Sequence, residues 1–378
     1  MLKISNAKIV DDGITEGNVY VENGKITAVT KENLPFDEEL DICGNYLSAG
    51  FVDMHVHGGG GFDVMDGDVQ SVREVAKMHL SHGTTSIFPT TVAAGREITK
   101  KVVENIKSAM DFPTIRGTHL EGPYFSLAQC GAQSADCIRD IDFNEAEELL
   151  KSGIIKRWDF APEKENSSKF CELLNKYDVV SAIGHSDAIY DDVLKVYNMG
   201  CRLVTHLYSA TSTITRVDGY RRLGINECAY LFDDMLAEII ADGSHLPLQL
   251  LKLIIKLKGV DKISLITDAM RAAGMPDGEY ILGNKDTGIK CVKEAGVAKL
   301  PDRSAFAGSV ATTDMLVRTM YKKVGLDLSD AVKMMTRNPA EIMGLKTKGR
   351  IKPQYDADIV VFDDDINIKH IFVGGSKY

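Results

Sequence analysis

Six side chains able to hold a divalent cation or move a proton fall at the ends of short apolar runs: His55, His57, Glu121, His185, His206 and Asp268. His55 and His57 lie two residues apart in "GFVDMHVHGGGG", on a stretch that reads as a buried strand. That spacing puts both rings on one face. Two imidazoles converging from one strand make one edge of a metal site. A single buried histidine is ordinarily a hydrogen-bonded core residue, but four of them joined by two carboxylates at successive strand ends point to a metal centre. Imidazole and carboxylate donors suit Zn, Fe, Co or Mn. His119 precedes Glu121 by two residues and is a candidate neighbour behind the ligands. His79, His82 and His370 fit no strand end and read as structural or surface residues. The Gly58–Gly61 run reads as a plain loop that lets the backbone leave the strand without bulk.

The elements that must position these groups alternate along the chain. Eight apolar runs read as strands: "LSAGFVDMHVH", "TTSIFPTT", "TIRGTHLEG", "IKRWDFAPE", "VVSAIGHS", "RLVTHLY", "MLAEIIADG" and "KISLITDAM". Amphipathic periodicity predicts helices over 68–81, 96–110, 143–151, 167–176, 187–199 and 246–257. Eight such units predict an α/β protein, a TIM (β/α)8 barrel, whose reactive groups sit at the C-terminal ends of the strands. A hairpin insertion (278–300) and two helices (309–324 and 328–336) are expected after the eighth strand. The first residues form β segments with an Asn23-Gly24 hairpin turn, and the last, "GRIKPQYDADIVVFDDDINIKHIFVGG", return to β. These ends are expected to pair, residues 1–48 with 345–378, into a small β-sandwich domain beside a barrel domain of residues 49–344.

Composition narrows the partners. The chain has 378 residues, 44% hydrophobic and 26% charged, with a net charge of −10. That balance argues against a nucleic-acid or anionic-membrane partner. No apolar run reaches the roughly 18 residues a membrane helix needs, and the start, "MLKISNAKIVDDG", has no signal pattern. Seven scattered cysteines without a CxxC read as reduced thiols, which predicts a cytoplasmic protein.

The motifs are long and ordered. "THLEGPY", "ADGSH", "GTTSIFPTT", "AIGHSDA", "THLYSA", "LITDAM" and the closing "GRIKPQYDADIVVFD" together resemble the N-acetylglucosamine-6-phosphate deacetylase family of the amidohydrolase superfamily. The resemblance implies hydrolysis of an acetamido group on an amino sugar phosphate, with another hexosamine such as the galactosamine epimer as the alternative substrate. It implies that Glu121, His185 and His206 hold one metal. His55 and His57 would hold a second, bridged by Glu121, giving one or two ions per chain. Asp268 would be the catalytic acid/base. Substrate contacts would fall on Ala132, Ser209, Ala210, Arg221 or Arg222, Asp242, Gly243, Ser244, His245, Phe306, Ala307 and Gly308. The family's use of the position of His245 on a neighbouring subunit's phosphate implies a homodimer. Three departures stand out: Ser209 where Asn is common, extra residues in "TSTITRVDGY", and Gln133 where some members have His. All three are expected to touch the sugar or phosphate and to leave the metal alone.

Overall fold

Eight short strands alternate with eight helices between Phe51 and Arg318 and close into a parallel barrel. In the computed structural model, which describes residues 1–378, the strands are β1 (Phe51–Val56), β2 (Thr84–Thr91), β3 (Thr118–Glu121), β4 (Ile155–Phe160), β5 (Val180–Ile183), β6 (Leu203–Val204), β7 (Leu236–Ile239) and β8 (Ile263–Leu265). Each is followed by a helix: α1 (Val69–Ser81), α2 (Arg96–Ala109), α3 (Phe143–Leu150), α4 (Ser167–Lys176), α5 (Tyr190–Asn198), α6 (Ile225–Leu231), α7 (Leu248–Lys258) and α8 (Thr313–Arg318). The ladder runs in chain order from β1 to β8. It closes where Asp268 N–H donates to His55 O at 2.9 Å and His57 N–H to Ala269 O at 2.8 Å.

The helices form where an apolar stripe can face the barrel. In α1, Val72, Val75, Ala76, His79 and Leu80 are buried, the i, i+3, i+4 stripe of an amphipathic helix. Asp68 caps its first turn by accepting from Ser71 N–H at 2.8 Å. The helix α6, "INECAYL", is too short to show such a stripe and was not among those expected from periodicity.

Inside the barrel the residues are layered. Met54, Phe88, Ala182, Leu203 and Ile266 form an apolar plug. Above it lie charged and polar side chains, all fully buried: Arg157, Asp159, Glu238, His119 and Thr205. The mouth carries the six residues singled out above. A register shift in the β1–β2 ladder between Asp53 and Val56 brings both Met54 and His55 to the interior. Bulges of this kind re-aim side chains beside active sites.

The terminal segments form one continuous eight-stranded sheet built from strands within 2–49 and 359–377. The first strand, Leu2–Val10, pairs in parallel with Glu38–Asp41 through Leu2–Ser5 and with Tyr46–Ala49 through Lys8–Val10. The sheet therefore forks at Asn6, and its limbs enclose a separate core that includes Ile4, Val19, Ile26, Leu47, Ile359 and Phe372. The run "LSAGFVDMHVH" is shared between the two sheets, and Gly50 is the crossing point. A Cβ there would stand 2.0 Å from Thr85 Oγ1, so no larger residue fits. The insertion after β8 is a three-stranded antiparallel sheet (Gly278–Leu282, Ile289–Glu294, Val297–Lys299), one strand more than a hairpin. A further helix, Arg337–Ile342, follows the expected Leu328–Lys333. No helix is long and apolar enough to cross a membrane.

Candidate metal centre and active site

The barrel mouth brings His55, His57, Glu121, His185, His206 and Asp268 together. Glu121 is central: its Oε1 lies 3.1 Å from His185 Nε2, 3.0 Å from His206 Nε2 and 3.4 Å from His55 Nε2, and its Oε2 lies 3.3 Å from His57 Nε2. Asp268 Oδ1 lies 3.1 Å from His57 Nε2 and 3.6 Å from His55 Nε2. The backbone is strained where it delivers these groups. His185, His206 and Asp268 have φ of 46°, 28° and 48°, a region non-glycine residues rarely occupy outside functional turns.

The donor set fits a divalent cation. His57, His185 and His206 each place Nδ1 on a backbone carbonyl, of Thr90 at 3.2 Å, Gln129 at 3.0 Å and Ser209 at 3.0 Å. A carbonyl only accepts, so Nδ1 carries the proton and Nε2 turns a lone pair inward. The Nε2 atoms of His55 and His57 stand 3.2 Å apart. Three overlapping groups have metal-binding spacing: His55–His57–Asp268, His55–Glu121–His206 and His55–His119–Asp159. The cluster's demand for positive charge shows in its titration. Burial disfavours a charged His57, yet Asp268 and Glu121 outweigh burial and hold its pKa at about 10.

Above the cluster a cavity of about 340 Å³ opens. Ala132, Ser209, Ala210, His245, Phe306 and Gly308 line it, as expected of substrate-contacting residues. Ala307 is buried behind this wall. Asp242 acts as scaffold: its carboxylate accepts from Ser244 N–H and His245 N–H at 2.8 Å each and pairs with His245 Nδ1 at 2.8 Å. Gly243 turns the chain with φ 83°, and Ser244 is exposed.

One expectation, that Gln133 leaves the metal centre alone, is corrected. His245 sits at the edge of the cavity. Its ring packs on Phe306 at 4.4 Å and lines its own chain's cavity. Arg221 and Arg222 are absent from that cavity; they sit exposed on a two-stranded hairpin, Thr215–Val217 with Tyr220–Arg222, that the extra residues build. Gln133 does touch the metal ligands: its Nε2–H donates to Glu121 Oε2 at 2.5 Å while its Oε1 accepts from Ala93 N–H at 2.7 Å.

The glycine run, expected as a plain loop, makes a tight hairpin in which Gly58–Gly59 pairs antiparallel with Phe62–Asp63. A Cβ on Gly58 would lie 2.6 Å from Arg271 N and Phe62 O. His79 Nε2 donates to Gly58 O at 3.0 Å from below, and His82 pairs with Asp314 at 3.1 Å. His119 lies beneath the cluster, 2.9 Å from Asp159 Oδ1. Arg157, Asp159 and Glu238 were not foreseen. Their signal was present, in two opposite charges two apart in "KRWDF" and one acid inside the apolar "LAEII".

The amidohydrolase family model matches residues 46–377. The chain belongs to the amidohydrolase family. It is 32% identical to an N-acetylglucosamine-6-phosphate deacetylase of Lysinibacillus sphaericus over 95% of this chain and 92% of that one. It is 29% identical to an N-acetylgalactosamine-6-phosphate deacetylase of Escherichia coli O157:H7, over 87% of this chain and 86% of that one. Among solved structures it is similar to the N-acetyl-D-glucosamine-6-phosphate deacetylase of Mycobacterium smegmatis, an aspartate-to-alanine mutant in complex with N-acetyl-D-glucosamine-6-phosphate. The TM-score there is 0.92 at 29% identity, covering 100% of this chain and 98% of that one. The amidohydrolase assignment and the barrel agree: the strand-end ligands lie where this fold keeps its chemistry.

Proposed function

We propose that this amidohydrolase hydrolyses the acetamido group of N-acetylglucosamine 6-phosphate to glucosamine 6-phosphate and acetate. The observation that carries the reading is the convergence of four imidazoles, Glu121 and Asp268 beneath a sugar-sized cavity, in a chain so similar to deacetylases of that name. Glu121, His185 and His206 would hold one divalent ion, and His55 and His57 with Glu121 would hold a second; Zn, Fe, Co and Mn all suit these donors. A bound divalent ion supplies Lewis acidity, lowering the pKa of water from 15.7 to about 7 and polarising an amide carbonyl.

The chain's own groups do the rest. Asp268 Oδ1 takes the proton of the attacking water and returns it to the departing amine nitrogen, one carboxylate in both roles. Glu121 is held still by Gln133, whose Nε2–H donates to its Oε2. Ala132, Ser209, Ala210, Phe306 and Gly308 wall the sugar, and His245, oriented by Asp242, faces the phosphate. Arg221 and Arg222 are exposed and do not line their own cavity; in this reading they serve a neighbour's. The hairpin that carries them exposes Ile214 (50%), Val217 (41%) and Tyr220 (77%), apolar surface suited to a second copy of the chain. In this reading the assembly is a homodimer acting in the cytoplasm, with residues 1–48 and 345–378 as one domain and 49–344 as the catalytic one.

The test is acetate release from N-acetylglucosamine, N-acetylgalactosamine and N-acetylmannosamine, each with and without a 6-phosphate. The highest kcat/KM is expected for N-acetylglucosamine 6-phosphate. Equal values with and without phosphate would remove the phosphate claim, and a higher value for the galactosamine epimer would move the substrate.

A further inference from the structure

His55 differs from the other three imidazoles of the mouth. Theirs give Nδ1–H to a backbone carbonyl. His55 is fully buried and its Nδ1 has no hydrogen-bond partner. Facing that atom, 3.7 Å away, is Glu238 Oε2.

Glu238 is itself clamped. Arg157 Nη1 donates to Glu238 Oε1, and Arg157 Nη2 donates to Glu238 Oε2 at 2.8 Å. The same guanidinium holds Asp159, Nε to Oδ1 at 2.8 Å and Nη2 to Oδ2 at 2.9 Å. Thr205 Oγ1 donates to Asp159 Oδ2 at 2.7 Å. One cation against two anions leaves a net charge of −1 at the barrel's centre. A buried net charge is costly unless a partner lies close. Two imidazoles border this charge: His119, whose Nε2 lies 2.9 Å from Asp159 Oδ1, and, on the side of the mouth, His55 facing Glu238. Arg157 already occupies the position a cation would take beside Asp159, so the lower His55–His119–Asp159 group is not read as a further metal site.

We propose that Glu238, held by Arg157, is a positioning residue for His55: it accepts the Nδ1 proton and so presents Nε2 to the second cation. The gap closes by about 0.5 Å to reach hydrogen-bond length. A carboxylate behind a ligating imidazole fixes its tautomer and raises its basicity, and loss of such a partner typically costs 10–100-fold in metal affinity. The proposal rests on the two-ion reading given above, and the test separates the two.

Zinc-loaded protein carrying 15N-histidine is examined by long-range 1H–15N correlation, with zinc counted by elemental analysis. Two zinc ions and a His55 protonated at Nδ1 and coordinated through Nε2 are expected. One zinc per wild-type chain overturns the two-ion reading and the proposal together. Two zinc ions with His55 coordinated through Nδ1 overturn the proposal alone. In Glu238→Gln, zinc titration against a competing chelator should show affinity for the first ion unchanged and for the second reduced about 10–100-fold. Both affinities unchanged in a folded variant would mean that the Arg157–Glu238 pair serves the barrel only. Should the variant fail to fold, the wild-type spectrum still decides.

Discussion

Asp268→Asn isolates the proton transfer. Asp268 is 9% exposed, its Oδ1 is 3.1 Å from His57 Nε2, and its backbone sits at φ 48°. Asparagine is one of the few residues that tolerate this left-handed region, and it matches aspartate in size, so the β8–β1 closure through Asp268 N–H and His55 O survives. What disappears is an oxygen that takes and returns a proton. General acid–base groups contribute about 10²–10⁴-fold, which at 1.36 kcal/mol per decade is about 3–5 kcal/mol of barrier. The assay is acetate release at saturating N-acetylglucosamine 6-phosphate, with zinc content and Tm measured on the same samples. Turnover should fall by about 10²–10⁴-fold, with KM within a few-fold, metal content retained and Tm close to wild type. Near-native turnover at full metal content would refute the assigned role. Activity lost only in step with metal would make Asp268 a ligand first.

Three further outcomes follow from the geometry. Arg221→Ala or Arg222→Ala should cost about 10–100-fold in kcat/KM with the phosphorylated substrate, from the roughly 1.5–3 kcal/mol of a hydrogen bond to a charged group, and little without phosphate. Mixing such a variant with His245→Ala should restore activity, because each mixed dimer holds one site with both residues; no recovery would place both residues on one subunit's site. His79 is neutral in the fold, with burial lowering its pKa to about 4 from 6.5, so its contribution is complete above pH 6.5 and is lost as pH falls from about 6.5 to 4. His79→Gln should remove up to about 3 kcal/mol of that acid sensitivity, read by urea unfolding at both pH values; an unchanged pH slope would show that His79 is not the source. Gln133→Ala strips a donor from Glu121 and should weaken cation retention about 10–100-fold in a chelator competition, whereas unchanged retention would confine Gln133 to substrate contact.

What was legible in the sequence follows from where the physics is local. The eight strands and most of the helices between them were readable because a strand buried on both faces is almost continuously apolar, and helices such as 69–81 carry a complete stripe. The short helix Ile225–Leu231, the strand Val297–Lys299 and the helix Arg337–Ile342 were missed because each is under two full turns or only three residues long. The two roles of "LSAGFVDMHVH" were hidden for a different reason: the division at Gly50 depends on the approach of Thr85, a contact between strands that no periodicity records. The six residues of the mouth were readable because strand ends are where a barrel gathers its chemistry. Their alternation alone would still have turned Met54 away from His55; the register shift after Asp53 is a property of the pairing with β2.

Two residues of the cavity wall do more than expected, and this bears on how this enzyme's specificity is built. Gln133 and Ser209 were expected to belong to the substrate wall alone. Both line the cavity, yet Gln133 donates to Glu121 and the carbonyl of Ser209 accepts from His206 Nδ1. The carbonyl of Gln129, in the same loop as Gln133, holds His185 in the same way. The loops that choose the sugar thus also set the tautomers and orientations of the metal ligands. A substitution meant to change the hexosamine preference at these positions acts on cation affinity as well, through a hydrogen bond and not through charge. Arg221 and Arg222 lie on a hairpin with no such link to the ligands. On the phosphate role proposed for Arg221 and Arg222, phosphate recognition is the part of specificity that can change while the metal centre stays as it is.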